Sequence, residues 1–231
     1  MKYDRTVSGS KSEAHHVDEE TAVLHGDEIE AGTNVLVAGP VMTGKRDLLL
    51  SLVGAGDATE RGTVLVTTRQ DGETIAGAFR RVAGHVPDER LSVVDCVSRA
   101  NGFGQTRESP YRRYVTDPGD LTGIGIGLTE YLRGFYDDGV PARVGLHSLS
   151  TTLMYADLRR VFQFVHVLTG RIATSEFVGV FAIDSTVPDA RDLEILKQPF
   201  DALVEVREAE TGGREVRVRG AEFGPQEWTD Y

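Results

Sequence analysis

The sequence is poor in several residue types, and each shortage excludes a class of protein. Its 231 residues include a single cysteine, Cys96, so a disulfide framework is excluded and a cytoplasmic protein is expected. No apolar run approaches the length of about 18 residues that a transmembrane helix needs, so a membrane is not expected among its partners. The N-terminal stretch lacks the apolar segment of a secretory signal. Cys96 lies in an apolar run, which favours a buried small side chain over a nucleophile.

Lysine is scarce and acidic residues are in excess. Asp and Glu number 36 against 25 Lys and Arg, the formal net charge is −11, and the only lysines are Lys2, Lys11, Lys45 and Lys197. An acidic, lysine-poor composition is typical of halophilic proteins, and we favour this interpretation over an ordinary acidic protein. The negative charge disfavours nucleic acid as a partner, although concentrated salt would weaken the repulsion.

Residues 1–20 and residues 21–231 differ in character. The first segment is polar with almost no apolar spacing, and it is predicted to be a flexible tail. The second is predicted to be one domain, in which strand-like and helix-like segments alternate. This alternation predicts an α/β fold with a mostly parallel, twisted sheet flanked by helices. Alternating apolar residues on both sides of "TGGR" predict an antiparallel hairpin at the C-terminal edge.

Three segments allow more detailed predictions. Phe162, Val165 and Leu168 share one face of a predicted helix. The string "HSLSTTLMY" predicts a Ser/Thr turn after a strand. The glycine run at Gly123, Gly125 and Gly127 neither follows a strand nor has the spacing of a dinucleotide fingerprint. These glycines are therefore expected to let a helix approach its neighbour closely.

Residues 99–116 are predicted to form a long polar loop. They hold a cluster of basic and aromatic residues, namely Arg107, Tyr111, Arg112, Arg113 and Tyr114. A solvated loop with locally packed aromatic rings is the favoured interpretation, and a partner-binding surface is the alternative.

The string "GPVMTGKRD" carries the strongest functional signal. Gly39, Gly44 and Lys45 match the phosphate-binding pattern G-x-x-x-x-G-K-[ST], and the string joins a predicted strand to a predicted helix. Glycines let backbone N–H groups approach phosphate oxygens, the lysine adds a mobile positive charge, and the helix N-terminus adds a partial one. We predict a nucleotide-binding loop in which Gly39, Thr43, Gly44, Lys45 and Arg46 contact the ligand.

Arg46 departs from this pattern, which requires Ser or Thr at its position. A hydroxyl there ligates Mg²⁺, whereas a guanidinium has donors and no acceptor. Arg46 would either bring a second positive charge to the phosphates or point outward and pair with a carboxylate such as Asp47, and we favour the outward orientation. The sequence thus disfavours Mg²⁺ as a cofactor.

The element order, the phosphate loop, the string "RVGLHSLS" and the terminal hairpin resemble one known family. From about Gly32 to Gly220 the chain resembles the RecA-fold domains of KaiC-like P-loop ATPases, as a divergent haloarchaeal member. The resemblance implies a RecA-like fold and ATP or ADP as the ligand. It also suggests self-assembly or a protein partner, since RecA-type domains often form rings or filaments.

Further catalytic elements of that family are altered here. The resemblance places His147 at the aspartate of the Walker B element, and Arg69 and Gln70 at the paired glutamates that activate water. It places Arg217 and Arg219 at a basic pair that reaches a neighbouring subunit's nucleotide, although alternate arginines on a strand are more often solvated. Phosphoryl transfer depends on positioning and charge neutralisation, so these losses together imply weak or absent hydrolysis.

The sequence therefore predicts a nucleotide-binding regulatory or signalling module rather than an efficient ATPase. An active, unconventional ATPase is one alternative, in which Asp47, Asp71 or Asp95 would restore the metal or base chemistry and Glu73 could replace a lost glutamate. A recombinase-related, DNA-associated protein is another, which would use the arginines between residues 107 and 113.

Overall fold

The structure is a computed structural model that describes residues 23–102, 109–210 and 212–231. The predicted tail, residues 1–20, and Arg107 lie outside these described residues. The strands are β1 (Asn34–Gly39), β2 (Gly62–Thr67), β3 (Leu91–Asp95), β4 (Arg112–Tyr114), β5 (Ala142–His147), β6 (Val178–Asp184), β7 (Ala202–Glu208), β8 (Arg214–Arg219) and β9 (Thr229–Asp230). The helices are α1 (Lys45–Gly54), α2 (Gly72–Ala83), α3 (Ser98–Asn101), α4 (Leu121–Asp137), α5 (Leu149–Tyr155), α6 (Leu158–Thr174) and α7 (Ala190–Lys197).

Within the described ranges the strands form one sheet, in the order β4-β3-β2-β5-β6-β1-β7-β8-β9. Strands β1 to β7 pair in parallel, and β8 and β9 add antiparallel pairs at one edge. This confirms the predicted mostly parallel α/β sheet with an antiparallel C-terminal hairpin. The chain passes from β1 beyond β6 and β5 to reach β2, and from β6 beyond β1 to reach β7. Where adjacent strands send their connections in opposite directions, a ligand-binding crevice opens at their carboxyl ends.

The central strands are buried on both faces of the sheet. Every residue of β1, β2, β5 and β6 is buried, which explains their nearly continuous apolar runs. One face forms a core with α1 and α2, in which Leu49 and Phe79 are enclosed. The other face forms a core with α4 and α6, which includes Leu128 and Val165. Fully burying one such side chain contributes about 1.5–3 kcal/mol, so both layers stabilise the sheet.

Two predictions beside β5 have different outcomes. The shared face of α6 is confirmed, since Val165 and Leu168 are buried and Phe162 packs against the same core. The predicted Ser/Thr turn after β5 is wrong, because this segment forms α5. Leu149 is completely buried there, so its packing outweighs the preference of Ser and Thr for turns.

The predicted loop at residues 99–116 is wrong in two parts, because it begins within α3 and contains the edge strand β4. Arg112 pairs with Glu73 at 2.6 Å, and Arg113 pairs with Glu130. Tyr114 is buried beside them. Charged edge strands lack the apolar alternation by which a strand is recognised in a sequence. These two arginines are engaged in ion pairs, which favours the solvated interpretation of the basic cluster.

The glycine run in α4 brings this helix close to its neighbours at two of its three positions. A Cβ atom at Gly127 would lie 3.2 Å from Val94 Cγ2, and one at Gly123 would lie 2.8 Å from Val115 Cγ1. At Gly125 the nearest atom outside the helix is at an ordinary 3.8 Å. The predicted close approach is therefore confirmed at Gly123 and Gly127, and it is wrong at Gly125.

Asp95 joins three elements at the carboxyl end of β3. Its Oδ2 accepts hydrogen bonds from Gly72 N at 2.7 Å and from Ser98 Oγ at 2.6 Å. Its Oδ1 accepts from Val97 N at 2.8 Å and from Ser98 N at 2.9 Å. The side chain is buried, and these bonds fix the starts of α2 and α3 against the sheet.

We expect Asp95→Ala to lower the free energy of unfolding by about 3 kcal/mol, because several buried donors would lose their acceptor. Urea denaturation followed by circular dichroism measures this loss. Asp88→Ala is the matched control, since exposed Asp88 pairs only with Arg80, and its effect should stay below about 1 kcal/mol. Equal effects of the two substitutions would contradict the structural role of Asp95.

Candidate phosphate-binding site

The connection between β1 and α1 is a tight loop of residues 40–44. Met42 and Gly44 have positive φ angles of 65° and 78°, and Gly44 directly precedes α1. Among the described residues, no acceptor pairs with the backbone N–H groups of residues 42–47. Free N–H groups at a helix N-terminus form a cradle for an anion, and the helix dipole adds to its positive potential. The loop can therefore bind a phosphate group through its backbone.

Two glycines give the loop its path. A Cβ atom at Gly39 would lie 2.5 Å from both Cγ2 and the carbonyl oxygen of Val206, so only glycine lets β1 end this close to β7. A Cβ atom at Gly44 would lie 2.6 Å from Nη1 of Arg214 and 3.2 Å from the hydroxyl of Tyr231. The positive φ angle of Gly44 also favours glycine. Both residues are thus required for the shape of the loop.

Thr43 stabilises the loop from inside. Its side chain is 1% exposed, and its Oγ1 donates to the carbonyl oxygen of Pro40 at 2.8 Å. Its own carbonyl oxygen accepts a hydrogen bond from the hydroxyl of Tyr231. Thr43 can therefore contribute its backbone N–H to a ligand, while its hydroxyl is engaged within the loop.

Lys45 begins α1 and lies half-buried over the loop. Its ammonium donates to the carbonyl oxygen of Pro40. Burial lowers the pKa of Lys45, the nearby carboxylate of Asp184 opposes this shift, and Arg69 adds to it. Its ammonium is therefore placed at the mouth of the cradle, where it can bind an anion.

Asp184 belongs to this site, and our sequence reasoning missed it. It ends β6 directly beside Gly39 of β1 and is buried. Its Oδ1 accepts from the N–H of Thr186 at 3.0 Å and from the hydroxyl of Thr186 at 2.7 Å. The signal that could have revealed it is its position at the end of the apolar string "FVGVFAID", because strand ends in parallel sheets meet at one edge.

Arg46 adopts the outward orientation. Its Nε and Nη2 lie 2.9 Å and 2.8 Å from Oδ1 of Asp47, and both side chains are exposed. The pair is a surface contact, which is worth little in stability. The structure therefore shows Arg46 paired with Asp47 and not turned into the cradle.

His147 ends β5 and is the most unusual side chain of the site. It is 9% exposed, and its Nδ1 is buried without a hydrogen-bond partner among the described residues. Burial, with Arg69, Arg46 and Lys45 acting in the same direction, lowers its pKa to about 4. The imidazole is therefore neutral at neutral pH, and a buried unpaired nitrogen indicates a missing partner.

The end of β2 completes the same edge. The hydroxyl of Thr68 donates to the carbonyl oxygen of Ser148 at 3.0 Å, and it accepts from the N–H of Ser148 at 2.7 Å. These bonds join the ends of β2 and β5. Arg69 follows and is exposed, and it influences the pKa values of both Lys45 and His147. The buried Nε2 of Gln70 has no partner within the described ranges.

The acidic residues considered as substitutes for the lost catalytic groups have structural contacts instead. Asp71 caps α2 by accepting from Thr74 N at 2.9 Å, and the hydrogen bonds from Thr74 lower its pKa. Glu73 pairs with Arg112, as described above, and Asp47 pairs with Arg46. Asp95 is the buried junction of β3, α2 and α3. None of these contacts supports an active ATPase.

The residues present do not fit the Mg²⁺ ion that the family resemblance implies. Arg46 and His147 stand at two positions that would need oxygen ligands. The carboxylate of Asp184 is already engaged by Thr186 and lies beside Lys45. No group of three or more His, Cys, Asp or Glu in the described part of the chain is arranged to hold a metal ion. We therefore derive no chemistry from a metal at this site.

Arg217 and Arg219 lie on β8 of the C-terminal hairpin. Both pair with Glu205, at 2.7 Å and 2.9 Å. Arg217 and Arg207 also stack on Trp228, with guanidinium carbons 4.3 Å and 4.1 Å from the ring centroid. The contacts of both arginines are thus within the hairpin of their own chain.

Cys96 is buried and free, as predicted, and burial raises the pKa of its thiol. A thiol whose pKa is raised in this way is a poor nucleophile. Its role is therefore that of a small core side chain.

His147 makes a measurable contribution to the pH dependence of stability. Its pKa is about 4 in the folded protein and about 6.5 in an unfolded chain, so between these values the unfolded state binds more protons. The free energy of unfolding should therefore fall as the pH drops through this window, by up to about 3 kcal/mol from this residue. His147→Asn should remove this contribution to the pH dependence. Urea denaturation at about pH 7 and at about pH 5 measures the difference.

The control for this experiment is His85→Asn, because His85 is exposed and should leave the pH dependence unchanged. If wild type and His147→Asn lost the same free energy of unfolding between the two pH values, the depressed pKa of His147 would be wrong.

Comparison with known proteins identifies the family and the fold. No helix in the described ranges is long and apolar enough to cross a membrane. No curated protein matches the chain. One similar solved structure is the crystal structure of an uncharacterized protein from Pyrococcus horikoshii in complex with an unknown peptide. Its TM-score is 0.64 at 13% identity, over 88% of this chain and 93% of that one, which shows a shared fold alone. The family of unknown function DUF7504 matches residues 32–206, and the chain therefore belongs to this family.

Proposed function

We propose that the chain is a degenerate RecA/KaiC-like P-loop domain that binds ATP or ADP through the phosphates and hydrolyses ATP weakly or not at all. The observation that carries this proposal is the set of free backbone N–H groups at residues 42–47, which lie beside the ammonium of Lys45. A nucleotide phosphate supplies both the acceptors and the negative charge that this cradle lacks. His147 supports the same proposal, since no described residue offers a hydrogen-bond partner to its buried Nδ1.

A RecA-like arrangement of the sheet is part of the proposal. The phosphate loop follows β1, and β5 and β6 lie between β1 and β2. His147 and Asp184 end the two intervening strands, and Arg69 follows β2 at the same edge. The positions at which the chain departs from KaiC-like ATPases thus belong to one crevice, which supports a common origin of the site.

The proposed binding mode needs no divalent cation. In ATPases of this class a metal ion neutralises the phosphates and helps to stabilise the transition state. Here Lys45 and Arg69 bring positive charge to the crevice, and the residues do not fit Mg²⁺. Positive side chains can bind a ground-state triphosphate, but without an activated water they supply little rate acceleration. Binding without efficient turnover follows from this composition.

We expect calorimetric titration to show ATP and ADP binding with equal affinity in the presence and absence of Mg²⁺. Lys45→Ala should weaken both by at least about tenfold, because it removes a charge-assisted contact with phosphate. ATP turnover by the wild type should not exceed that of Lys45→Ala.

The matched control is Lys197→Ala, since Lys197 pairs with Glu194 on the surface of α7. Its affinity should equal that of the wild type at the same salt concentration. Absence of nucleotide binding by the wild type would refute the proposal. Turnover that depends on Mg²⁺ and on Lys45 would instead establish an active ATPase.

A protein partner is the second part of the proposal, and it concerns the carboxyl edge of the sheet. Large apolar side chains are exposed on the connections that follow β1, β5 and β6. They are Val41 at 55%, Met42 at 88%, Met154 at 75%, Tyr155 at 57% and Val187 at 48% exposure. Met154 and Tyr155 end α5 and the others lie on loops. Exposed apolar patches are typical of interaction sites. The structural neighbour was solved with an unknown peptide, which is compatible with a regulatory module that binds protein.

Self-assembly is the simplest form of this interaction and can be measured directly. We expect the sedimentation coefficient to rise with protein concentration, because apolar side chains at the edge would be buried between copies. Met42→Glu and Met154→Glu should each reduce this association, whereas Val82→Glu on the exposed side of α2 should not. A wild-type protein that stays monomeric at every concentration would exclude self-assembly at this edge.

A further inference from the structure

We infer that Arg214 binds nucleotide phosphate in the same chain, as a residue that the hairpin β7–β8 contributes to the loop. This inference rests on the proposed function of the loop and adds a residue that neither the sequence pattern nor the family resemblance indicates. Arg214 begins β8, and its guanidinium packs directly against the loop. A Cβ atom at Gly44 would lie only 2.6 Å from its Nη1.

Arg214 differs from the other arginines of the hairpin in its contacts. Arg207 pairs with Glu215 at 2.6 Å, and Arg217 and Arg219 both pair with Glu205. Arg214 has no ion pair among the described residues. It is therefore the arginine of the hairpin whose positive charge is uncompensated there, and it is also the one beside the phosphate loop.

The position of this charge is unfavourable without an anion. The N-terminus of α1 is the positive end of the helix dipole, and Lys45 adds a full positive charge there. The guanidinium of Arg214 packs against this end of α1, whereas an arginine is ordinarily favoured at the opposite end of a helix. An anion bound between the free N–H groups and the guanidinium would contact both.

A second observation at the same site points to a ligand. The Nδ1 of His147 is buried and has no hydrogen-bond partner within the described part of the chain, and the residue is only 9% exposed. Together with the free N–H groups of residues 42–47, it leaves several hydrogen-bonding groups unsatisfied along one edge. A phosphate group can accept from the free N–H groups of the loop, and a guanidinium can bind two of its oxygens at once.

Tyr231 holds Arg214 and the loop in register with each other. Its hydroxyl donates to the carbonyl oxygen of Thr43, and its N–H donates to the carbonyl oxygen of Arg214 at 3.0 Å. The pairing of β9 with β8 brings Tyr231 to this place. Tyr231 is thus a positioning residue, which acts on the ligand through Arg214 and the loop.

The test is calorimetric titration of Arg214→Gln with ATP and with inorganic tripolyphosphate, both without Mg²⁺. We expect both affinities to fall by at least about tenfold, because a charge-assisted contact with phosphate is lost. Arg214→Lys should recover part of the loss. Arg133→Gln on α4 is the control for charge, since exposed Arg133 pairs only with Asp137, and it should bind both ligands as the wild type does.

Three outcomes would overturn the role of Arg214. The first is unchanged affinity of Arg214→Gln for tripolyphosphate. The second is a loss for ATP alone, which would indicate contact with the nucleoside. The third is an equal loss in Arg219→Gln, which would indicate a general charge effect of the hairpin. A wild type that binds neither ligand would refute the proposed function itself and this inference with it.

Tyr231→Phe tests the positioning role, because it removes only the hydroxyl. We expect faster amide hydrogen exchange in residues 42–44 of the ATP-saturated protein, an unchanged melting temperature, and a loss of affinity of about threefold for both ligands. In the Arg214→Gln background the same substitution should have a smaller effect on affinity than in the wild type, since it acts in part through the placement of the loop against Arg214. Additive losses of affinity in the double variant would contradict this role.

Discussion

The close contact between the end of β1 and β7 is the constraint on which the site depends. Gly39 lies so near Val206 that a Cβ atom would overlap with its side chain and its carbonyl oxygen. The chain turns directly after Gly39, and Met42 and Gly44, which have positive φ angles, lead into α1. This turn leaves the first N–H groups of the helix free at the edge of the sheet. Lys45, Asp184 and His147 lie at the same edge, because the carboxyl ends of parallel strands meet there.

The same edge brings positive charge together in a protein that is strongly acidic as a whole. Lys45, Arg69 and Arg214 surround the loop, while the nearby carboxylate of Asp184 is shared with Thr186. Burial and the cations Arg69, Arg46 and Lys45 lower the pKa of His147, so its imidazole is uncharged at neutral pH. Such a distribution favours a ligand with several negative charges. In the proposed binding mode, donors at the loop would contact the phosphate oxygens directly, without a metal ion between them.

The sequence predicts the parts of the site that depend on local patterns. The strand β1, the glycine loop and the start of α1 follow from residues that are neighbours in the chain, and the alternation of elements predicts the sheet. Tyr231 could not be found in this way, because it reaches the loop through a hydrogen bond between distant residues. Asp184 needed a further step, namely that the ends of parallel strands meet at one edge of the sheet. The α5 segment was predicted incorrectly for a related reason. Its Ser and Thr residues favour a turn, and only the core around Leu149 determines that they form a helix.

Salt weakens these electrostatic contacts to different extents. An acidic protein of this composition is expected to work in concentrated salt, where the Debye length is about 3 Å at 1 M. Exposed pairs such as Arg46 with Asp47 are then largely screened and contribute little. The free N–H groups of the loop and the half-buried Lys45 are screened less, because they would contact a phosphate directly and exclude ions from the space between. Recognition of the proposed phosphate would therefore depend on short hydrogen bonds in a fixed loop, with little contribution from the long-range field of the protein.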